Sequence, residues 1–229
     1  SIGLLKEYII QPFKDIGATV DLFIHTRKDA WWLPAAELPF RCLSVEENRN
    51  LDLSMILSDA NPLEMGENAA LSGRRAFLYQ SYMQQYASLW AVWRLKLQAE
   101  EKDRQTYDWV VRSRPDCYLT EPLPVKDLTP NTVNFPWNDW WPYEMEGVRV
   151  ETLTDKFAVG PSKMMDVYFN KVNWLSDFCR KYRIQGEAFT AWQLRIAGIP
   201  HLRHDKIKIE QSDLKYQFSY RPDKEERAR

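Results

Sequence analysis

From Ala76 to Arg104 the chain has neither proline nor glycine, and Met83, Tyr86, Leu89, Trp90, Trp93 and Leu97 recur at helical spacing. That pattern predicts one long helix whose aromatic stripe is core. The helix leads directly into Tyr107-Asp108-Trp109-Val110-Val111, a β-rich run that stops at Arg112, Ser113, Arg114, Pro115 and Asp116. A helix that feeds a buried strand points to an α/β sheet, and charge at the strand's carboxyl end marks the crevice where such sheets bind ligands.

The remaining elements fit the same class. Ile2, Leu5, Ile9 and Phe13 have helical spacing, Gly17 is a stop signal, and Val20 to His25 reads as a strand. A helix ahead of the first strand implies that an earlier strand is missing or distant, because a parallel α/β sheet usually opens on β. Residues 29 to 75 are irregular and polar, with one strand near Arg41 to Val45, and form a region able to cover a ligand. Strands are expected at Thr132 to Phe135 and Lys156 to Val159. Ser162 should cap a helix running to Tyr182, and a second helix should cover Glu187 to Ala197 and stop at Gly198. Ile199 to Ile209 remains for a final edge strand. The expected architecture is a single α/β domain over residues 1–220, with a mixed, mostly parallel, Rossmann-like central sheet flanked by helices and its first strand missing. Residues 221–229 form a charged tail.

Charge and cysteine content narrow the function classes. With 31 basic and 32 acidic residues, no whole-molecule field attracts nucleic acid or an anionic membrane, so an anionic ligand must be held by a local cluster. Cys42, Cys117 and Cys179 are far apart, leave one thiol over in any pairing and lack metal-ligand spacing. This favours reduced thiols and a cytoplasmic location. No apolar segment has bilayer-spanning length, and the start lacks a signal-peptide pattern.

Arg112, Arg114 and Asp116 place two guanidinium groups and a carboxylate at one strand end. Guanidinium forks match phosphate oxygens, and a lone carboxylate can hold a divalent cation that also binds phosphates, so the cluster suits a nucleoside diphosphate. The competing structural reading is an internal ion pair that pins the loop.

Tyr107-Asp108-Trp109-Val110-Val111-Arg112-Ser113-Arg114-Pro115-Asp116 resembles the segment that nucleotide-sugar-dependent glycosyltransferases of the GT-A type, including capsule, lipopolysaccharide and virus-encoded members, carry where others have Asp-x-Asp. The resemblance extends in order from the preceding helix through Asp155-Lys156-Phe157-Ala158-Val159-Gly160 to Gly186-Glu187 and Gly198-Ile199-Pro200. It implies a GT-A-like fold and an enzyme of polysaccharide or glycan biosynthesis that transfers a sugar from a nucleotide-sugar donor to a carbohydrate hydroxyl. Asp116 would then hold Mn2+ or Mg2+, with His204 as a second ligand. Arg114 stands where the usual motif has its first aspartate, which allows a metal-independent version in which Arg112 and Arg114 supply the positive charge. An anchor preceding residue 1 would place such a domain in the Golgi or ER lumen instead of the cytoplasm.

Asp155 precedes a strand and Glu187 opens a helix, so either can reach the same crevice and act as the base of an inverting transfer. Their plain structural roles would be a turn residue and a first-turn acid. Trp137, Asn138, Asp139, Trp140 and Trp141 form a proline-bounded aromatic loop suited to seating the acceptor sugar, or to plugging a gap in the core. Two further functions compete. One is a non-catalytic carbohydrate-binding protein using this loop; the other is a metal-dependent phosphoesterase or nucleotidyltransferase, which would need clustered carboxylates that the sequence only scatters.

Overall fold

Residues 2–27, 40–46, 74–114, 116–138, 143–145, 148–182 and 185–211 are described by the structure, a computed structural model. The chain opens on a helical segment made of α1 (Ile2–Leu5), a π-helical turn (Lys6–Ile10) and α2 (Gln11–Asp15). The wide turn lies just ahead of Pro12, whose missing N–H would interrupt a regular ladder. Gly17, at φ +82°, ends the segment by donating to Lys14 O while Ala18 N donates to Phe13 O. That pair of bonds is a Schellman stop, as the sequence predicted. β1 (Phe23–Arg27) follows and pairs in parallel with β2 (Cys42–Glu46).

The long helix is α3 (Arg74–Asp103). Its buried side runs through Met83, Tyr86, Leu89, Lys96 and Ala99, so Trp90 is exposed beside Arg94 instead of joining the core. Arg104 takes the left-handed turn at φ 53° that a glycine usually fills, and the chain enters β3 (Trp109–Ser113). After it come β4 (Cys117–Leu119), a 3-10 turn (Val125–Asp127), β5 (Val133–Pro136), β6 (Tyr143–Met145), β7 (Val148–Val150) and β8 (Phe157–Pro161). The helices α4 (Ser162–Phe169), α5 (Val172–Cys179) and α6 (Gly186–Ile196) precede β9 (His201–His204) and β10 (Ile209–Gln211).

The central sheet has the order β3-β8-β5-β9. β8 is antiparallel to both β3 and β5, and only β5 and β9 pair in parallel. The expectation of a mostly parallel sheet is therefore corrected to a mixed one. A parallel return usually runs through a crossover helix, and the one helical element in the described chain between β3 and β8 is the three-residue 3-10 turn. Among the described residues three two-stranded units accompany this sheet: β1 with β2, β4 antiparallel to β10, and β6 antiparallel to β7.

The region expected as one helix from Ser162 to Tyr182 is two. Asn170 leaves the helical region at φ −80°, ψ 41°, and the Ser162 hydroxyl donates to Glu100 Oε1 at 2.8 Å instead of capping. The expected edge strand is likewise divided, into β9 and β10. Residues 212–229, which include the charged tail, lie outside the described residues.

Strand alternation sorts the core into two layers. Ala158 faces a cluster that includes Tyr86, Phe135, Tyr168, Phe178 and Phe189, while Phe157 and Val159 face one that includes Ile9, Phe13, Leu119 and Ile207. All three thiols are free. Among the described residues, no helix is long and apolar enough to cross a membrane.

Candidate functional site

Period-two alternation places Arg112 on the helix-covered side of β3, opposite Ala158. The side chain is buried, and its Nε has no hydrogen-bond partner among the described residues. Desolvation draws the pKa of Arg112 below the usual guanidinium range, with Tyr168, Asp155 and Asp116 opposing that shift and Arg114 reinforcing it. An arginine keeps its charge even so. The result is a buried cation with a donor to spare.

Just past the strand, Arg114 Nε and Nη2 donate to the two oxygens of Asp116 at 2.8 and 2.6 Å, a bidentate fork. Its Nη1 lies 3.6 Å from Asp155 Oδ1, so one guanidinium joins two carboxylates. Burial alone would lower the pKa of Arg114, but the Asp116 hydrogen bonds and the Asp155 charge outweigh it and raise it. Asp155 itself is only 3% exposed. Its Oδ2 accepts from Gln85 Nε2 at 2.6 Å, and its Oδ1 has no hydrogen bond among the described residues. The Asp116 side chain, by contrast, is 28% exposed.

Glu187 reaches this end of the sheet from the first turn of α6. Its carbonyl accepts from Leu153 N at 3.1 Å, two residues ahead of Asp155, and its Oε2 accepts from Gln185 Nε2. It is half-buried. The join is tight at Gly186, where an added Cβ would lie 2.9 Å from Asp155 Oδ2 and 2.9 Å from Tyr82 Cε1. Gly186→Ala should therefore lower stability by about 1–3 kcal/mol through overpacking, despite a gain in helix propensity. Chemical denaturation measures this, and an unchanged midpoint would mean that Asp155 is free to shift.

Four neighbours of the site were not among the site residues expected from the sequence. Gln85 holds Asp155. Tyr86 is fully buried, its hydroxyl lacks a partner among the described residues, and desolvation followed by the Asp155 charge pushes its pKa well up. Tyr168 donates from Oη to the Asp155 carbonyl at 3.3 Å, and burial raises its pKa too. Lys171, fully buried, donates to Thr190 Oγ1 at 2.8 Å and lies 4.5 Å from the Tyr168 ring centre. Burial lowers its pKa to about 7. A sequence signal for Lys171 exists: Tyr168, Lys171, Leu175 and Phe178 share the apolar helical spacing, so the lysine stands where a core residue is expected.

His204 is placed elsewhere. It ends β9, three strands from β3, where its Nε2 lies 3.0 Å from Asp127 O and its Nδ1 accepts from Lys206 N at 3.3 Å. The structure does not bring it to Asp116. Both Asp116 oxygens accept from Arg114, and among the described residues no three His, Cys, Asp or Glu side chains group to hold a metal ion. At this rim the guanidinium of Arg114 is matched by the carboxylates of Asp116 and Asp155.

In the aromatic loop, Trp137 is 52% exposed, with the Arg203 guanidinium 5.5 Å from its ring centre. The Asn138 amide is already used. It donates to Ile209 O at 2.8 Å and accepts from Ile209 N at 3.0 Å, imitating a strand edge that holds β10. Asp139, Trp140 and Trp141 lie outside the described residues. β10 connects this loop to the charged cluster, because Gln211 is in register with Cys117, the residue after Asp116.

A cavity of about 1460 Å3 lies along β3, with Arg112, Arg114 and Gln85 among its lining residues. Five of the sequence-selected charged residues thus gather at or beside the carboxyl end of β3: Arg112, Arg114, Asp116, Asp155 and Glu187. In comparison with known proteins, the chain matches no family model, no curated protein and no solved structure.

Proposed function

We propose that this protein is a nucleotide-sugar-dependent glycosyltransferase that moves a sugar from a nucleoside diphosphate to a carbohydrate hydroxyl. The carrying observation is the junction at Arg114, where one guanidinium forks onto Asp116 and faces Asp155 beside the buried cation of Arg112. Arg112 and Arg114 supply fixed positive charge for a diphosphate. In the transfer, the acceptor oxygen bonds to the anomeric carbon, and the bond from that carbon to the diphosphate oxygen breaks. The electron pair leaves with the diphosphate, and the guanidinium groups offset the charge that develops on it. Glu187 is the better base of the two candidates because it is half-exposed and can meet an acceptor, whereas Asp155 is sealed in and serves to position Arg114. Inversion follows from a single displacement of this kind.

A panel of nucleoside diphosphates and nucleotide sugars, with and without manganese, tests the reading by thermal shift. At least one member should raise the melting temperature by several degrees without metal, and Arg114→Gln should abolish that shift. A shift seen only with manganese would restore the cation at Asp116, with Arg114 swung aside. No response to any member would count against sugar transfer.

The exposed face of Trp137 favours one second reading, a carbohydrate-binding protein without catalysis. In that case Trp137→Ala would abolish glycan binding, and Arg114→Gln would leave it unchanged.

A further inference from the structure

We infer that Asp116 determines specificity by occupying the place a ligand phosphate must take: its carboxylate fills the Arg114 fork, and an entering anion has to displace it. This role rests on the diphosphate reading of the rim and is opposite to that of a cation ligand. The two Asp116 oxygens take Nε and Nη2 of Arg114 at 2.8 and 2.6 Å. A guanidinium recognises phosphate through the same two-pronged contact, which a carboxylate two residues away already satisfies.

The junction is asymmetric. On its inner side Arg114 faces Asp155, whose side chain is 4% exposed, accepts from Gln85 and is walled by Gly186. On its outer side the Asp116 side chain meets water. The main chain around it is pinned: Arg114 N donates to Lys156 O at 3.0 Å, Cys117 N donates to Arg114 O at 3.1 Å, and Cys117 is in register with Gln211. Asp116 can therefore leave the fork by a rotamer change alone, a fast motion for a side chain in contact with solvent. Asp155 has no such route. With Asp116 turned away, Arg114 stays anchored by Asp155, and its vacated fork sits beside Arg112, a buried cation whose Nε has no partner among the described residues.

Displacement sets a threshold for binding. The apparent affinity of any anion that needs the fork is reduced by the fraction of molecules in which the fork is open. A singly charged anion offers Arg114 no more than Asp116 does and also loses its translational freedom, so it stays unbound at ordinary concentrations. A diphosphate brings further charge for Arg112 and keeps a usable affinity after the same reduction. The ligand class selected is a polyanionic phosphate; a lone carboxylate or a chloride ion is refused.

The test is isothermal titration calorimetry of the full chain with inorganic pyrophosphate and with inorganic phosphate, both in buffer containing EDTA. Asp116→Asn should bind pyrophosphate about tenfold more tightly than the native chain, and its binding of phosphate should strengthen by a similar factor. Asp116→Ser, which removes the carboxylate with a different side chain, should reproduce the gain. Glu210 is exposed on β10 in register with Tyr118, so Glu210→Gln removes one negative charge from the neighbouring strand without touching the fork. It should change the affinity by less than about twofold, because an exposed charge at that distance is screened. Unchanged or weaker pyrophosphate binding in both Asp116 variants would overturn the displacement and leave the diphosphate reading standing, with Asp116 helping to hold the ligand. An equal gain from Glu210→Gln would overturn it as well, by reducing the effect to net charge. No pyrophosphate binding by the native chain or any variant would remove the diphosphate reading and the displacement together.

Discussion

Asp155→Ala is expected to cost about 3–5 kcal/mol of stability, which in a chain of this size lowers the melting temperature by on the order of 10 °C. The carboxylate is almost completely buried, accepts from Gln85 Nε2 and faces Arg114 Nη1. Its removal leaves the buried guanidinium groups of Arg112 and Arg114 with less compensation, and an uncompensated buried charge is the expensive outcome. Combining Asp155→Ala with Arg114→Met should recover part of the loss, because the stranded cation goes with its partner. Equilibrium denaturation of the two variants tests the coupling. A single-variant loss below about 1 kcal/mol would show that the ion pair does not organise this end of the sheet.

Lys171→Met has the second large effect, and it appears as a change in pH dependence. Folded Lys171 releases its proton near pH 7, whereas its ordinary pKa is 10.5. Below pH 7 both states hold the proton, and the folded state bears the full cost of a buried cation, eased by the Tyr168 and Phe189 rings. Between pH 7 and 10.5 the unfolded chain binds more protons, so stability rises with pH. The rise is at most about 1.4 kcal/mol per pH unit, or roughly 2–3 kcal/mol from pH 7 to 9. Above pH 9 the Cys179 thiol opposes it, because burial raises its pKa to about 11 and the folded state then holds the extra proton. Methionine at position 171 should flatten the curve between pH 7 and 9 and make the protein more stable than the native chain at pH 6. Denaturation midpoints at those pH values decide it; an unaltered slope would assign the pH response to other groups.

Much of this fold could be read from periodicity. α3, β3, β5, β8 and α6 fall close to their expected positions because alternation and helical spacing record which side chains are buried. Burial carries no strand direction, so the antiparallel course of β8 was illegible in an apolar run that either orientation would satisfy. The break at Asn170 was equally hidden, with no proline or glycine to mark it. At the site, the order of short motifs anticipated the meeting of Arg112, Arg114, Asp116, Asp155 and Glu187. Of the two roles the sequence suggests for Arg114 and Asp116, the internal ion pair is the one the structure shows. Tyr86 was read as core, correctly for its ring, but a hydroxyl on an apolar stripe also signals a polar neighbour. His204 and Asn138 went to backbone partners, a choice set by tertiary contacts that spacing does not encode.

The short strand β10 has one further consequence. It is held at Ile209 by the Asn138 amide and at Gln211 by register with Cys117, so the exposed indole of Trp137 and the carboxylate of Asp116 are fastened to opposite ends of a single three-residue strut. A ligand that stiffens this strut from either end changes the entropy left to the other. Thermodynamic reciprocity then makes the influence equal in both directions, so two ligands bound there would sense each other without touching.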